Sequence, residues 1–507
     1  MSVSPSDAIA GRDISFSMTG LTPWEVVTVS FIDPQSVAAS WITAEDVHIL
    51  RRAYFWEDQK DQVEATSISM FPTAAGDLNW ERYGAQDETG TWSMKIELTS
   101  SVHTVNYTLN NLKLGDVETV TLGILLTRHL APDLTIYYSD LVPTALVADL
   151  REHLRDTAFL LDRRLQTETG QIPDVYLMGN RELMAEVSSV TGVDQGFEDG
   201  YYKNFGQRPG IYMRTDLKGT EVRRVLTHEY IHHLFDSLAN GNELPAWVTE
   251  GLSRYYEFDT ASSGSRPDAS ELREFGATDL ARSAAQAGTL FSLATLDSQE
   301  DWNARTDKDE LALQYAESYM AVRFLNETYG PMSGKDVVTQ IGLGNGLSHA
   351  IRVTTGLGLD VFESQFNRWL QNWEDPDRGP IAEYLAALDA ILADQDVILD
   401  QRSQDLSANL PASEASIRRV ARLTSTEALL DRIRSLSLPE RTSDLHQETV
   451  DYLSRVLEWL TLEFKHADTL DDSYRIAGNA MIPEINARDF TLKRNLSNLK
   501  FILNLEE

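Results

Sequence analysis

One pentad constrains this chain more than any other stretch: His228-Glu229-Tyr230-Ile231-His232. On an α-helix, residues i and i+4 stand one turn apart on one face, so both imidazoles can turn toward a single point. The flanks predict such a helix. Val222, Val225, Leu226, Leu234 and Leu238 recur at three- and four-residue spacing between Glu221 and Leu238, without Gly or Pro. Asn240-Gly241 supplies a stop and Pro245 opens the next element. A second helix from near Ala246 would carry Glu250 in its first turns, returning a carboxylate toward the two histidines. His228, His232 and Glu250 fit a Zn2+ ion, which takes three protein ligands in a catalytic site and leaves a fourth position open. Glu229 stands where a general base would hold and deprotonate a water. His233 points about 100° away around the helix and reads as a flanking residue. The plain alternative is a surface helix with two solvated histidines.

The second helix reads Trp247-Val248-Thr249-Glu250-Gly251-Leu252-Ser253-Arg254-Tyr255. With the pentad, it resembles the gluzincin metallopeptidases, in particular the peptidase MA-like domains and, more distantly, the zinc aminopeptidases. Their pattern is a zinc helix followed by Trp-Leu-x-Glu-Gly-Phe/Leu-Ala-x-Tyr. The gap here is one residue shorter than in the aminopeptidases, as a trimmed loop would make it. The resemblance covers about residues 142–378 and implies a thermolysin-like zinc peptidase domain. It continues in Gln314-Tyr315-Ala316-Glu317-Ser318-Tyr319, which reads as the start of a helix ending at Tyr329-Gly330. A tyrosine opening the matching helix stabilises the oxyanion in the family, and that role carries over to Tyr315. Packing is the plain alternative for Tyr315 and Tyr319.

The resemblance has a gap. No Gly-x-Met-Glu-Asn segment, which holds a substrate's amino terminus in the aminopeptidases, is found upstream, so an exopeptidase reading lacks support. Gly210-Ile211-Tyr212-Met213 reads as an edge strand that would pair with extended substrate, and equally well as an ordinary sheet strand. Asp236 and Asp259 are the nearby carboxylates that could orient ligand histidines. In the mechanism so implied, zinc activates water, Glu229 takes and returns its proton, and Tyr315 shares the developing charge.

Composition bounds the rest. A chain of 507 residues is long enough for about three domains. The formal net charge of −34 is spread along the sequence and disfavours nucleic acid and anionic membranes as partners. Cysteine is absent, which excludes thiol catalysis, disulfides and a cysteine zinc site. The longest apolar runs, such as Val120–Leu126, are too short to span a bilayer. No basic, apolar leader follows Met1. The opening resembles a surface protein with its leader trimmed, which suggests an extracellular or cell-surface setting, with the cytoplasm as the alternative.

The texture divides the chain into a multidomain α+β protein. Residues 1–140 are rich in β-branched and aromatic residues with short turns and predict a β-sandwich, which resembles the immunoglobulin-like modules of cell-surface proteins. Residues 141–378 hold the metallopeptidase domain, beginning with a helix over Leu146–Leu165 and a strand over Asp174–Met178. Residues 262–310 read as polar and loop-rich, and Asp375–Pro380 as a break. Residues 379–507 predict a helical bundle over Ile381–Leu399, Ser413–Leu436, Leu445–His466 and Leu492–Leu505. The function expected is a zinc metallopeptidase acting on polypeptide, an endopeptidase by preference. The alternatives are a non-proteolytic zinc-binding surface module and a zinc hydrolase of non-peptide amides. Oligomeric state is left open.

Overall fold

The structure is a computed structural model. It describes all residues except 1, 5–7, 12–13, 40–66, 83–86, 88, 116, 123, 132–133, 168–171, 192–198, 205–208, 218–220, 262–268, 377, 409, 440–441, 504 and 506–507.

Period-2 burial builds the N-terminal region. Its strands are β1 (Ser2–Ser4), β2 (Ile14–Thr19), β3 (Val27–Ile32), β4 (Ala38–Ala39), β5 (Ser67–Met70), β6 (Leu78–Arg82), β7 (Gly90–Glu97) and β8 (Val102–Leu109). They make a three-stranded sheet, β1-β2-β6, and a five-stranded one, β4-β3-β7-β8 with β5 on β3. Ile14, Phe16 and Met18 alternate inward on β2, as do Val27, Val29 and Phe31 on β3. Phe16 bridges the two sheets, 5.2 Å from the Trp80 ring and 5.3 Å from that of Phe31. The expected sandwich is there.

The next strands depart from the expectation that the β domain extends to residue 140. β9 (Val117–Leu122), β10 (Ile124–Leu130) and β11 (Thr135–Tyr138) join the sheet beside the helix of the histidine pentad instead. After α1 (Thr144–Leu165) come β12 (Asp174–Met178), α2 (Arg181–Thr191), β13 (Gly200–Asn204) and β14 (Pro209–Arg214). The sheet order is β13-β14-β12-β11-β10-β9. Ile136, Tyr137 and Tyr138 on β11 lie parallel to Val175, Tyr176 and Leu177 on β12, a crossover pairing that local texture does not encode. Tyr137, Tyr176, Tyr212 and Tyr201 stack across β11, β12, β14 and β13 at 4.5, 4.4 and 5.0 Å.

Helices follow, the first of them packed on β13 and β14. They are α3 (Glu221–Leu238), α4 (Ala246–Ala261), α5 (Ala269–Ala287), α6 (Gln299–Asn303), α7 (Lys308–Tyr329), α8 (Ser333–Gly342), α9 (Leu347–Thr355) and α10 (Leu359–Asn372). The predicted bounds of α3 agree with the structure. Those of α5 and α7 do not. Residues 269–287, expected to be loop, form a helix whose Phe275, Ala281, Ala284 and Ala285 are buried. Helix α7 starts at Lys308, where the Asp307 side chain accepts from the amides of Asp309 and Glu310, so Tyr315 lies within the helix rather than at its opening.

The C-terminal region is helical, as expected: α11 (Arg378–Ser407), α12 (Ala412–Arg434), α13 (Ser443–Thr469) and α14 (Asp472–Ile502). The last helix is longer than its sequence suggested, because Gly478 and Pro483 interrupt the apolar spacing yet its packing carries it through; Gly478 lies against Trp459 of α13. Phe275 of α5 is buried in this bundle's core, and Arg378 pairs with Asp279 at 2.6 Å. The bundle also reaches the β-sandwich, through Phe71–Phe490 at 5.6 Å and Arg488 over the Trp24 ring at 5.2 Å. No helix among the described residues is long and apolar enough to cross a membrane.

Candidate active site

Two helices and the turn between them build the site. Asn240 and Gly241 end α3 with φ of 53° and 78°, a left-handed pair that reverses the chain and that glycine adopts without strain. Helix α4 then starts under Pro245, its Ala246 amide held by the Asp297 carbonyl at 2.8 Å. It is clamped against α7 at Gly251, where a Cβ would collide with the Ser318 backbone carbonyl. The residue before that contact is Glu250.

The result brings His228, His232 and Glu250 together. The two Nε2 atoms are 3.2 Å apart, and Glu250 Oε2 lies 3.4 Å from His228 Nε2 and 3.6 Å from His232 Nε2. Zinc with bonds of 2.0–2.1 Å at tetrahedral angles separates its ligand atoms by roughly 3.3–3.4 Å. The outer nitrogens are occupied: His228 Nδ1 lies 2.9 Å from Glu257 Oε2, and His232 Nδ1 lies 2.9 Å from Thr249 Oγ1. Donation through Nδ1 turns both Nε2 lone pairs inward, the tautomer a metal ligand requires. Glu250 Oε2 is buried and accepts no hydrogen bond. Three acceptor atoms thus face one point in a buried place, and only protons or a cation relieve that arrangement. Burial pushes His228 down, but the Glu250 and Glu257 carboxylates beside it override this and hold it at about 9. Glu250 is itself held well below the usual carboxylate range, burial being outweighed by His232 and His228. The donor set fits zinc.

Glu229 is 6% exposed. Burial raises its carboxyl pKa, while the neighbouring histidines and a hydrogen bond from the Tyr202 backbone amide oppose the rise. That amide belongs to β13, which is the true edge of the sheet. The expectation for Gly210, Ile211 and Tyr212 is therefore corrected. Their strand, β14, is enclosed between β13 and β12, with Ile211 and Met213 fully buried, and it offers no open edge to a substrate. β13 runs beside α3 instead: a Cβ on Gly200 would lie 3.3 Å from Glu229 Cγ.

The carboxylates expected to orient the histidines are placed elsewhere. Asp236 accepts from the Tyr202 hydroxyl at 2.9 Å and Asn204 Nδ2 at 2.8 Å, and Asp259 pairs with Arg164 at 2.5 Å. Glu257 takes that role for His228. It is 1% exposed and is itself held by Arg224 and Arg254, each at 3.2 Å, which with His228 keep it well below the usual carboxylate range despite burial. Helical arithmetic could have found it: Glu257 is two turns past Glu250, about 20° off the same face, whereas Asp259 is about 180° away.

Tyr315 sits on α7 near this network. Its ring lies 5.0 Å from the Arg254 guanidinium and meets the Trp302 indole edge-on at 5.1 Å. Tyr319 is ruled out of the site, since its buried hydroxyl donates to Glu274 at 2.7 Å and Arg323 donates to it at 2.9 Å. His233 is a flanking residue, its Nδ1 3.4 Å from the Tyr202 hydroxyl.

Comparison with known proteins agrees with this geometry. Residues 218–372 match the Peptidase MA superfamily. The span includes the pentad, Glu250, Glu257 and Tyr315. Over those residues the central domain is similar to the Peptidase MA superfamily. No curated protein matches the chain in sequence. Among solved structures, native yeast LTA4 hydrolase aligns over 97% of this chain and 91% of its own at 10% identity, with a TM-score of 0.29. That score is too low to relate the two in detail.

Proposed function

We propose that the protein is a zinc-dependent endopeptidase whose zinc is held by His228, His232 and Glu250. The observation that carries this reading is the spacing of the three ligand atoms, close to the edges of a zinc tetrahedron, with Glu229 on the helix of the two histidines. A non-proteolytic zinc module would not need that carboxylate. When bound, zinc supplies Lewis-acid polarisation and makes water acidic near neutrality.

The chain's own residues supply the rest. Glu257 and Thr249 orient the two imidazoles. Glu229 takes a proton from the attacking water and delivers it to the leaving amine, a task for which its raised pKa suits it. The Tyr315 hydroxyl donates to the developing oxyanion. Extended substrate adds to the free edge of β13, so that its backbone lies beside Glu229. That edge reads Gly200-Tyr201-Tyr202-Lys203-Asn204, with lysine in the fourth place where the aminopeptidase motif has glutamate, which favours cleavage within chains over removal of amino-terminal residues.

The test is a mixed peptide library digested by protein loaded with one zinc and by the same protein stripped with a chelator. Cleavage at internal bonds that zinc restores is the expected result. Stoichiometric zinc without cleavage of any peptide would refute the reading.

A further inference from the structure

Where the edge strand meets the helix of the two histidines stands one carboxylate that the mechanism leaves unused. Asp236 follows His232 by one turn, about 6 Å further along α3. At 100° per residue it projects about 40° from His232 and about 20° from Glu229, so it continues the line of the base and the second histidine ligand. β13 covers the other side of that line. Gly200 lies against Val225 and Glu229, the Tyr202 amide faces Glu229, and Tyr202 and Asn204 reach Asp236. Strand and helix therefore run alongside each other from the base to Asp236.

The way Asp236 is held points to a ligand. Both donors, the Tyr202 hydroxyl and Asn204 Nδ2, converge on Oδ2. Oδ1 takes no hydrogen bond, and no cation pairs with the residue, among the described residues. A neutral asparagine would accept the same two bonds, so holding β13 in place does not call for a charge. Oδ1, without a hydrogen bond and not buried, stays open to water and to a ligand. Pinning through one oxygen fixes the direction of the other.

We propose that Asp236 is a specificity-determining residue that pairs with a cationic group of the substrate, an ammonium or guanidinium lying beyond His232. This rests on the peptidase reading above and deepens it. Two sources share that chemistry, a peptide's free amino terminus and a lysine or arginine side chain.

The experiment compares three sets of alanine-rich peptides on the zinc-loaded protein: blocked and uncharged, free at the amino terminus, and blocked with one lysine at successive positions. Cleavage is followed as kcat/KM and binding by calorimetry, which needs no turnover. The wild type should favour one cationic set by roughly 10- to 100-fold, as a charged hydrogen bond would provide. Asp236→Asn should erase that preference, leaving the uncharged set and the zinc content as they were. Which cationic set is favoured identifies the source. Tyr202→Phe, which loosens the strand without touching the charge, should affect all three sets alike. A wild type without preference, or an Asp236→Asn protein that slows all sets equally, would overturn the proposal. Failure of the wild type to bind or cleave any set would sink the peptidase reading itself and this inference with it.

Discussion

His228 carries two demands, a lone pair on Nε2 and a fixed ring, and Glu257 meets both from 2.9 Å. Glu257→Gln keeps the shape but removes the charge that Arg224 and Arg254 help to hold in place. Such partners are typically worth 10–100-fold in metal affinity. The zinc dissociation constant, measured by chelator competition, should therefore rise by about that factor. An unchanged constant would reduce Glu257 to a counter-ion for the two arginines. Sequence displayed the site itself because its logic is local. His228, Glu229 and His232 share one turn and a half of helix, and a short turn returns Glu250. Glu257 was within reach of the same helical arithmetic. Arg224 was not: its approach to Glu257 depends on how α3 crosses α4.

Elements show where local reading stops. The sequence leaves β14 open as an edge strand or an ordinary one, and burial from Gly210 to Arg214 marks an interior strand. Only the register places β13 outside it. Helix α7 has a similar hidden partner. Glu317 is fully buried, accepts from the Phe291 amide at 2.9 Å through Oε2, and leaves Oε1 without a partner. Burial raises its carboxyl to about 8, so the folded form keeps a proton that the unfolded chain releases near 4.5. Folding is then favoured below about pH 4.5, and this contribution is lost as pH rises through about 8. Glu317→Gln mimics the protonated state. Its stability relative to wild type should grow across that window by up to a few kcal/mol, read from denaturant titrations at several pH values. A difference that stays flat between pH 5 and pH 9 would show that Glu317 is ionised in the fold.

At the scale of the molecule, the three-part order of sandwich, zinc domain and bundle was legible from texture, while the join between the first two was not. β9–β11 belong by pairing to the central domain's sheet. A fragment of residues 142–378 thus lacks half of that sheet and should not fold. One of residues 111–376 should fold and bind zinc, with reduced stability because Phe275 loses its place in the bundle core. Circular dichroism and zinc content of the two fragments decide this, and a shorter fragment as stable as the longer would contradict the topology. The claim that unites these scales is that a buried zinc site and its adjacent carboxylate exist for hydrolysis. Glu229→Gln tests it most directly, with zinc content and peptide cleavage measured on the same preparation. The account predicts full zinc and a fall in kcat of at least about 10²-fold, since an amide cannot take the proton from water. Cleavage at the wild-type rate with zinc in place would contradict it.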